Sequence, residues 1–155
     1  MKIFEHDVDL PGYSAADIWP ALMELLHTPE RYLAGCDRSA VREVMAEGTL
    51  IRLIRKKYFG SSQLEDEVVF TPCQMVEILV AVGPRWPRSA QVIAIQARKS
   101  GCRLVFSYEQ NVLKDPMTGI YAELRNKAYM QKDLLFVGLL KKRLQHDSDS
   151  VQERQ

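Results

Sequence analysis

Six apolar-rich segments follow one another between Val41 and Asn111, each cut from the next by turn residues. They fall at about Val41–Ala46, Leu50–Phe59, Leu64–Thr71, Met75–Val82, Ala90–Lys99 and Arg103–Asn111, with period-two alternation in several of them. The separators are Glu47-Gly48, Gly60-Ser61-Ser62, Thr71-Pro72, the Gly83-Pro84 to Pro87 stretch and Ser100-Gly101. These residues supply the backbone angles and local hydrogen bonds of tight turns. Links this short join neighbouring strands and cannot carry a crossover, so the segments predict an antiparallel meander.

The flanks complete an α+β pattern. Lys2 to Leu10 alternates, with Phe4, His6, Val8 and Leu10 on one face, which predicts a seventh strand ended by Pro11-Gly12. Ser14-Ala15-Ala16-Asp17 has the form of a capping box, and Ile18, Leu22, Leu25 and Leu26 follow at helical spacing. Pro20 lacks an amide proton, so a kink or a short first helix is expected, with a second short helix over Glu30–Leu33. Asp115-Pro116 then opens a stretch with no further proline, and a helix from Met117 to about Gln145 would be roughly 43 Å long. Its apolar residues include Ile120, Leu124, Ala128, Leu134, Leu135, Leu139 and Leu144, with Lys127, Lys132, Lys141 and Lys142 between them. Such a helix covers a sheet and is too polar to span a membrane.

With 155 residues, 46% of them apolar, the chain suits one domain over residues 1–145 and a frayed polar tail over 146–155. A net charge of +1, with acids and bases intermixed, argues against nucleic acid as a partner. Cys36, Cys73 and Cys102 are odd in number and lack metal-site spacing, so three buried thiols in a reducing compartment are expected. His6, His27 and His146 lie far apart, and no nucleotide loop occurs, so no metal or other cofactor is expected. No leader and no apolar run near ~20 residues is present, which places the chain in the cytoplasm without membrane insertion.

The hairpin around Gly60 carries the clearest chemical signal. With Gly60–Gln63 as the loop, Lys57 faces Asp66, Arg55 faces Val68 and Leu53 faces Phe70, while Lys56 faces Glu67 on the other side. The face with Ile51, Leu53, Phe59, Leu64, Val68 and Phe70 is the more apolar, so it is assigned inward, and Arg55, Lys57 and Asp66 go with it. Inward charges cost too much unless paired or wetted, which points to a hollow, partly hydrated interior. A rim position in solvent for Lys57 and Asp66 is the competing assignment. In the last strand Leu104, Phe106 and Tyr108 share a face, so the Tyr108 hydroxyl points inward and needs a partner. On the long helix Gln131 interrupts the stripe of Leu124, Ala128 and Leu135, either as an inward polar group or as a helix-flank residue in water, and Gly138 either relieves crowding against the sheet or admits a ligand.

The order strand, two helices, six strands, long helix resembles the helix-grip fold of the Bet v 1/START-like (SRPBCC) superfamily. Within it the chain is similar to the AtaL-like branch through Ser14-Ala15-Ala16-Asp17-Ile18-Trp19, Arg55-Lys56-Lys57-Tyr58-Phe59-Gly60, Leu64-Glu65-Asp66-Glu67-Val68, the Phe70-Thr71-Pro72 corner, and Tyr121 and Tyr129 of the last helix. Pro20 and the Gly83–Pro87 loop depart from that pattern, and Trp86 in that loop either lies on the surface or lids the cavity mouth. The resemblance implies a seven-stranded sheet wrapped on the long helix, with an apolar ligand held between them.

Leu53, Arg55, Lys57, Asp66, Val68, Phe106, Tyr108 and Gln131 are the candidate ligand-binding residues. Arg55 or Lys57 would suit a hydrophobic or aromatic molecule with a carboxylate or enolate, and Asp66 would hold them in place. An enzyme of the cyclase, aromatase or isomerase type, with Asp66 as base and Tyr108 as acid, is the first alternative. A protein-interaction module, including a homodimer through an edge strand, is the second.

Overall fold

The computed structural model describes residues 1–80 and 88–153; the expected loop at Gly83–Pro87, with Trp86, lies outside them. The strands are β1 (Lys2–Pro11), β2 (Arg38–Ala46), β3 (Thr49–Phe59), β4 (Ser62–Thr71), β5 (Met75–Val80), β6 (Ser89–Arg98) and β7 (Gly101–Gln110). They form one antiparallel sheet in the order β1-β7-β6-β5-β4-β3-β2, so the meander runs from β2 to β7 and the first strand closes on the last. At the turn before β7, Gly101 has φ 151°, and a Cβ there would lie 2.8 Å from the Pro11 Cα. The β1–β7 closure therefore needs glycine at that position.

Between β1 and β2 lie α1 (Ala15–Leu26) and a single 3₁₀ turn at Pro29–Arg31. The capping box forms as the spacing predicts: Asp17 N–H donates to Ser14 Oγ at 3.2 Å and Ser14 N–H to Asp17 Oδ2 at 2.9 Å. α1 runs through Pro20 to Leu26, longer than the expected short helix. Pro20 and Ala16 are both exposed, so the carbonyl that loses its amide partner faces water. The second helix reduces to the 3₁₀ turn.

The last helix, α2, spans Gly119–Glu153 and its 35 residues extend about 52 Å. It starts later than Asp115-Pro116 predicts. Asp115 accepts from Met117 N–H at 3.0 Å and from Arg125 at 2.7 and 2.9 Å, and so ties the preceding loop to the helix side. It also continues past Gln145, supported by Arg143 donating to Asp147 at 2.6 Å and Gln145 to Asp149 at 3.1 Å.

Two assignments change. The β3–β4 register is two residues tighter than expected: Phe59 pairs with Ser62, Lys57 with Leu64, Arg55 with Asp66 and Leu53 with Val68. Gly60 adopts φ 61°, which lets a two-residue loop replace the longer one. A shift of two keeps every side chain on its face, so Arg55, Lys57 and Asp66 still point inward, but Ile51 and Leu64 end up exposed near the strand ends. The face of α2 is the larger change. Ile120, Leu124, Leu134 and Leu135 are each more than half exposed, while Asp133, Phe136, Val137, Leu140 and Leu144 are buried. Lys132 and Tyr129 lie on that buried side, and Gly138 relieves no crowding, because an added Cβ there would meet nothing.

The dry core gathers around α1. Leu10, Ile18, Leu22, Leu25 and Leu26 meet Leu53, Val68, Ile93, Leu104, Phe106 and Leu140, all buried. Cys36 and Cys102 are buried thiols, whereas Cys73 is exposed, a departure from the three buried thiols expected. Cys73 sits in the tight β4–β5 turn with φ 59°, which holds it off the sheet.

Candidate functional site

Beyond the end of α1 the space between α2 and the sheet holds a cavity of about 200 Å³. Its walls include Tyr32, Arg55, Lys57, Asp66, Ile78, Gln91, Tyr108, Tyr129 and Lys132. A wider cleft of about 750 Å³ at the strand ends adjoins it through Val80, Ser89 and Gln110, which line both. Ligand cavities usually span ~300–1,000 Å³, so the inner space alone is smaller than that range and reaches it only together with the adjoining cleft.

Two polar clusters face this cavity. In the first, Arg55 and Asp66 stand opposite each other on β3 and β4. Arg55 Nε and Nη2 donate to the two Asp66 oxygens at 2.7 Å each, and Nη1 donates to the Leu26 carbonyl at 3.0 Å and the Tyr32 hydroxyl at 2.6 Å. The guanidinium therefore closes the C-terminal end of α1 and is satisfied by the protein itself. Lys57 Nζ reaches the same Asp66 carboxylate at 2.6 Å. Burial works to raise the Asp66 carboxyl, but the Arg55 hydrogen bonds and the Arg55 and Lys57 charges outweigh it and hold it below the usual carboxylate range. One carboxylate thus serves two cations, and the cluster carries a net positive charge.

The second cluster is built by α2. Asp133 accepts from the Tyr108 hydroxyl at 2.7 Å, from Gln91 Nε2 at 3.1 Å, and lies 2.7 Å from His6 Nε2. Lys132, the preceding residue, donates to Gln91 Oε1 at 3.0 Å and stands 4.8 Å from the Tyr108 ring centre. The Tyr108 and Tyr129 rings stack at 3.8 Å. Burial, then the Asp133 charge, push the Tyr108 hydroxyl well above its ordinary range. Burial, helped by the Lys57 and Arg55 charges and opposed by Asp133 and Asp66, brings the Lys132 ammonium down to about 8.

The residues singled out from the sequence divide into three groups. Arg55, Lys57, Asp66 and Tyr108 line the cavity together. Leu53, Val68 and Phe106 are fully buried in the apolar core beside it and do not line it. Gln131 is exposed, turned away because α2 presents the opposite face to the sheet, so it is withdrawn from the set. The residues not foreseen as site groups are Tyr32, Gln91, Tyr129, Lys132, Asp133 and the ring of His6. Phe136, Leu140 and Leu144 recur every four residues and are the sequence signal for the buried face of α2.

No family model matches the chain, and no curated protein matches it significantly. Solved structures do match in fold. The di-domain ARO/CYC protein StfQ of the steffimycin biosynthetic pathway aligns with a TM-score of 0.68 at 11% identity, over 94% of this chain and 51% of that one. The aromatase/cyclase ZhuI of Streptomyces sp. R1128 aligns with a TM-score of 0.58 at 10% identity, over 92% of both chains. Ara h 8.0201 aligns with a TM-score of 0.55 at 10% identity, over 92% of this chain and 95% of that one. The chain spans about half the length of StfQ and most of the other two. The architecture is the helix-grip α+β fold: a curved seven-stranded antiparallel sheet with a long C-terminal helix.

Proposed function

We propose that the chain binds a small aromatic or apolar acid in the cavity between α2 and the sheet, with Lys57 as the anchor of the acid group. The observation that carries this reading is the Arg55–Asp66–Lys57 cluster. Arg55 is fully occupied by Asp66, Leu26 and Tyr32, whereas Lys57 has Asp66 as its one ion-pair partner among the described residues and faces the cavity. A carboxylate or enolate entering the cavity would balance the excess positive charge. Apolar walls from Ile78, Val80 and the aromatic rings of Tyr32 and Tyr129 suit the rest of the molecule. Gln110 Oε1, buried without a partner among the described residues, offers an acceptor for a ligand hydroxyl. On this reading the chain is an SRPBCC-superfamily protein of the AtaL-like branch, with residues 1–145 as the binding unit. Its free thiols fit a reducing, cytoplasmic setting.

The test is a thermal-shift and calorimetric comparison of aromatic acids with their methyl esters or amides. Acids raise the melting temperature and the neutral counterparts do so far less. A charge-assisted hydrogen bond contributes ~1.5–3 kcal/mol, so Lys57→Met weakens acid binding roughly ten- to a hundredfold and leaves ester binding alone. Equal affinity for acids and esters would sink the assignment of Lys57.

An enzyme reading also has an observation behind it, although not the pair first considered. Asp66 is a weak base because two cations hold its charge. The Tyr108–Asp133–His6 chain, in contrast, runs to the cavity wall and links three proton-bearing groups. Turnover of a bound polyketide-like or aromatic acid that disappears in Asp133→Asn, with binding intact, would favour it over simple carriage.

A further inference from the structure

Lys132 enters the cavity from α2, and its hydrogen-bond acceptor is the neutral Gln91 Oε1 at 3.0 Å instead of a carboxylate. The Tyr108 and Tyr129 ring faces, at 4.8 and 5.7 Å, favour its charged form, and burial works against it. Asp133, beside it in the chain, spends its oxygens on Tyr108, Gln91 and His6. The side chain lines the cavity, so a bound molecule can reach it. A lysine becomes a nucleophile at neutral pH where burial and nearby cations disfavour its charged form. Arg55 and Lys57 are such cations, and they share the cavity wall with it.

We propose that Lys132 forms an imine with the carbonyl carbon of a small aldehydo or keto acid bound in the cavity. The neutral amine attacks the carbonyl carbon, the C–N bond forms, and the carbonyl π electrons move to oxygen. Both nitrogen protons end on that oxygen, which leaves as water when the carbinolamine C–O bond breaks. No oxidant or further reactant enters. The acid end of this substrate class rests on Lys57 as proposed above; the amine chemistry does not.

The experiment incubates the full chain with 4-formylbenzoate and cyanoborohydride, which reduces an imine to a stable secondary amine, and maps the modified peptide by mass spectrometry. 4-Methylbenzoate, which has the acid and no carbonyl, is the binding control. With the Lys132 ammonium near 8 against ~10.4 for an ordinary lysine, its neutral fraction below pH 8 is a few hundredfold larger, on the order of 10^2.4. Labelling of Lys132 at least about tenfold faster than of any other lysine is expected, half-maximal near pH 8. That midpoint belongs to an amine facing Asp133, Asp66, Arg55 and Lys57, with the Tyr108 and Tyr129 rings beside it and His6 behind Asp133. Lys132→Arg, which has no nucleophilic amine, loses the label. Even labelling over all lysines, or labelling of Lys57 first, overturns the imine. If 4-methylbenzoate stabilises the protein in that case, the acid-binding reading survives alone. If Lys132 is labelled selectively while 4-methylbenzoate has no effect, the imine stands and the assignment of Lys57 falls. The peptide map is read on the native chain, so the result holds even where Lys132→Arg does not fold.

Discussion

Asp66 neutralises two buried cations, and its removal exposes what each of them costs. Asp66→Asn leaves Arg55 and Lys57 charged inside the sheet, and breaking a buried ion pair from one side costs ~3–5 kcal/mol, visible as a large drop in melting temperature. The same residue sets an acid limb. Its folded carboxyl lies below the unfolded value of ~3.9, so the unfolded chain takes up the proton first as pH falls. The stabilisation is complete above about pH 4 and is lost below it as pH falls through the folded value, and Asp66→Asn should flatten that slope in acid unfolding curves. Lys132 gives a slope of the same sign at the alkaline end. Between about 8 and ~10.4 the unfolded chain keeps a proton that the folded chain has released, so stability rises with pH across that window. Lys132→Met therefore flattens the rise in stability between about pH 8 and ~10.4, and denaturant melts at pH 7 and pH ~10.4 measure it. Arg55, Lys57, Asp66 and Tyr108 were legible in the sequence because strand alternation places them inward whatever the exact register. Lys132 and Asp133 were not, since their inward position follows from a helix rotation that the exposed leucines of α2 obscure.

At the level of elements, seven strands and two helices follow from turn chemistry and alternation; most boundaries move by a few residues, and α2 runs on to Glu153 through the tail expected to fray. What the sequence did not settle was the face of α2, where apolar residues occur on both sides. Two substitutions separate the faces. Phe136→Ala removes a ring packed edge-on against Tyr32 at 4.9 Å and costs ~3–5 kcal/mol. Leu135→Gln, one position away and about half exposed, changes stability by less than ~0.5 kcal/mol. Equal losses from the two would contradict the orientation of α2. Gly138 is the inexpensive complement: it lies in mid-helix with open space at its Cβ, so Gly138→Ala raises stability by ~0.5–1 kcal/mol in thermal melts.

Across the whole molecule the interior has two halves with different chemistry. α1 fills one half with Ile18, Leu22, Leu25 and Leu26, and that dry core stops at the Leu26 carbonyl, where the Arg55 guanidinium takes over. The other half is roofed by the Tyr129–Asp133 stretch of α2 and stays open because charged and aromatic side chains pair along its walls instead of meeting at its centre. A packed core and a hollow respond in opposite ways to added volume. Enlarging a residue in a tight interior costs ~1–3 kcal/mol through strain, whereas enlarging one that borders free space costs little. Val80 lines both the inner cavity and the outer cleft. Val80→Phe is therefore expected to keep stability within ~1 kcal/mol of the native chain while weakening acid binding at least about tenfold, because the ring occupies the space the ligand needs. Calorimetry with 4-methylbenzoate alongside thermal unfolding reads both quantities. A marked loss of stability with unchanged affinity would mean that the space beside Val80 is filled in solution and that acids bind elsewhere.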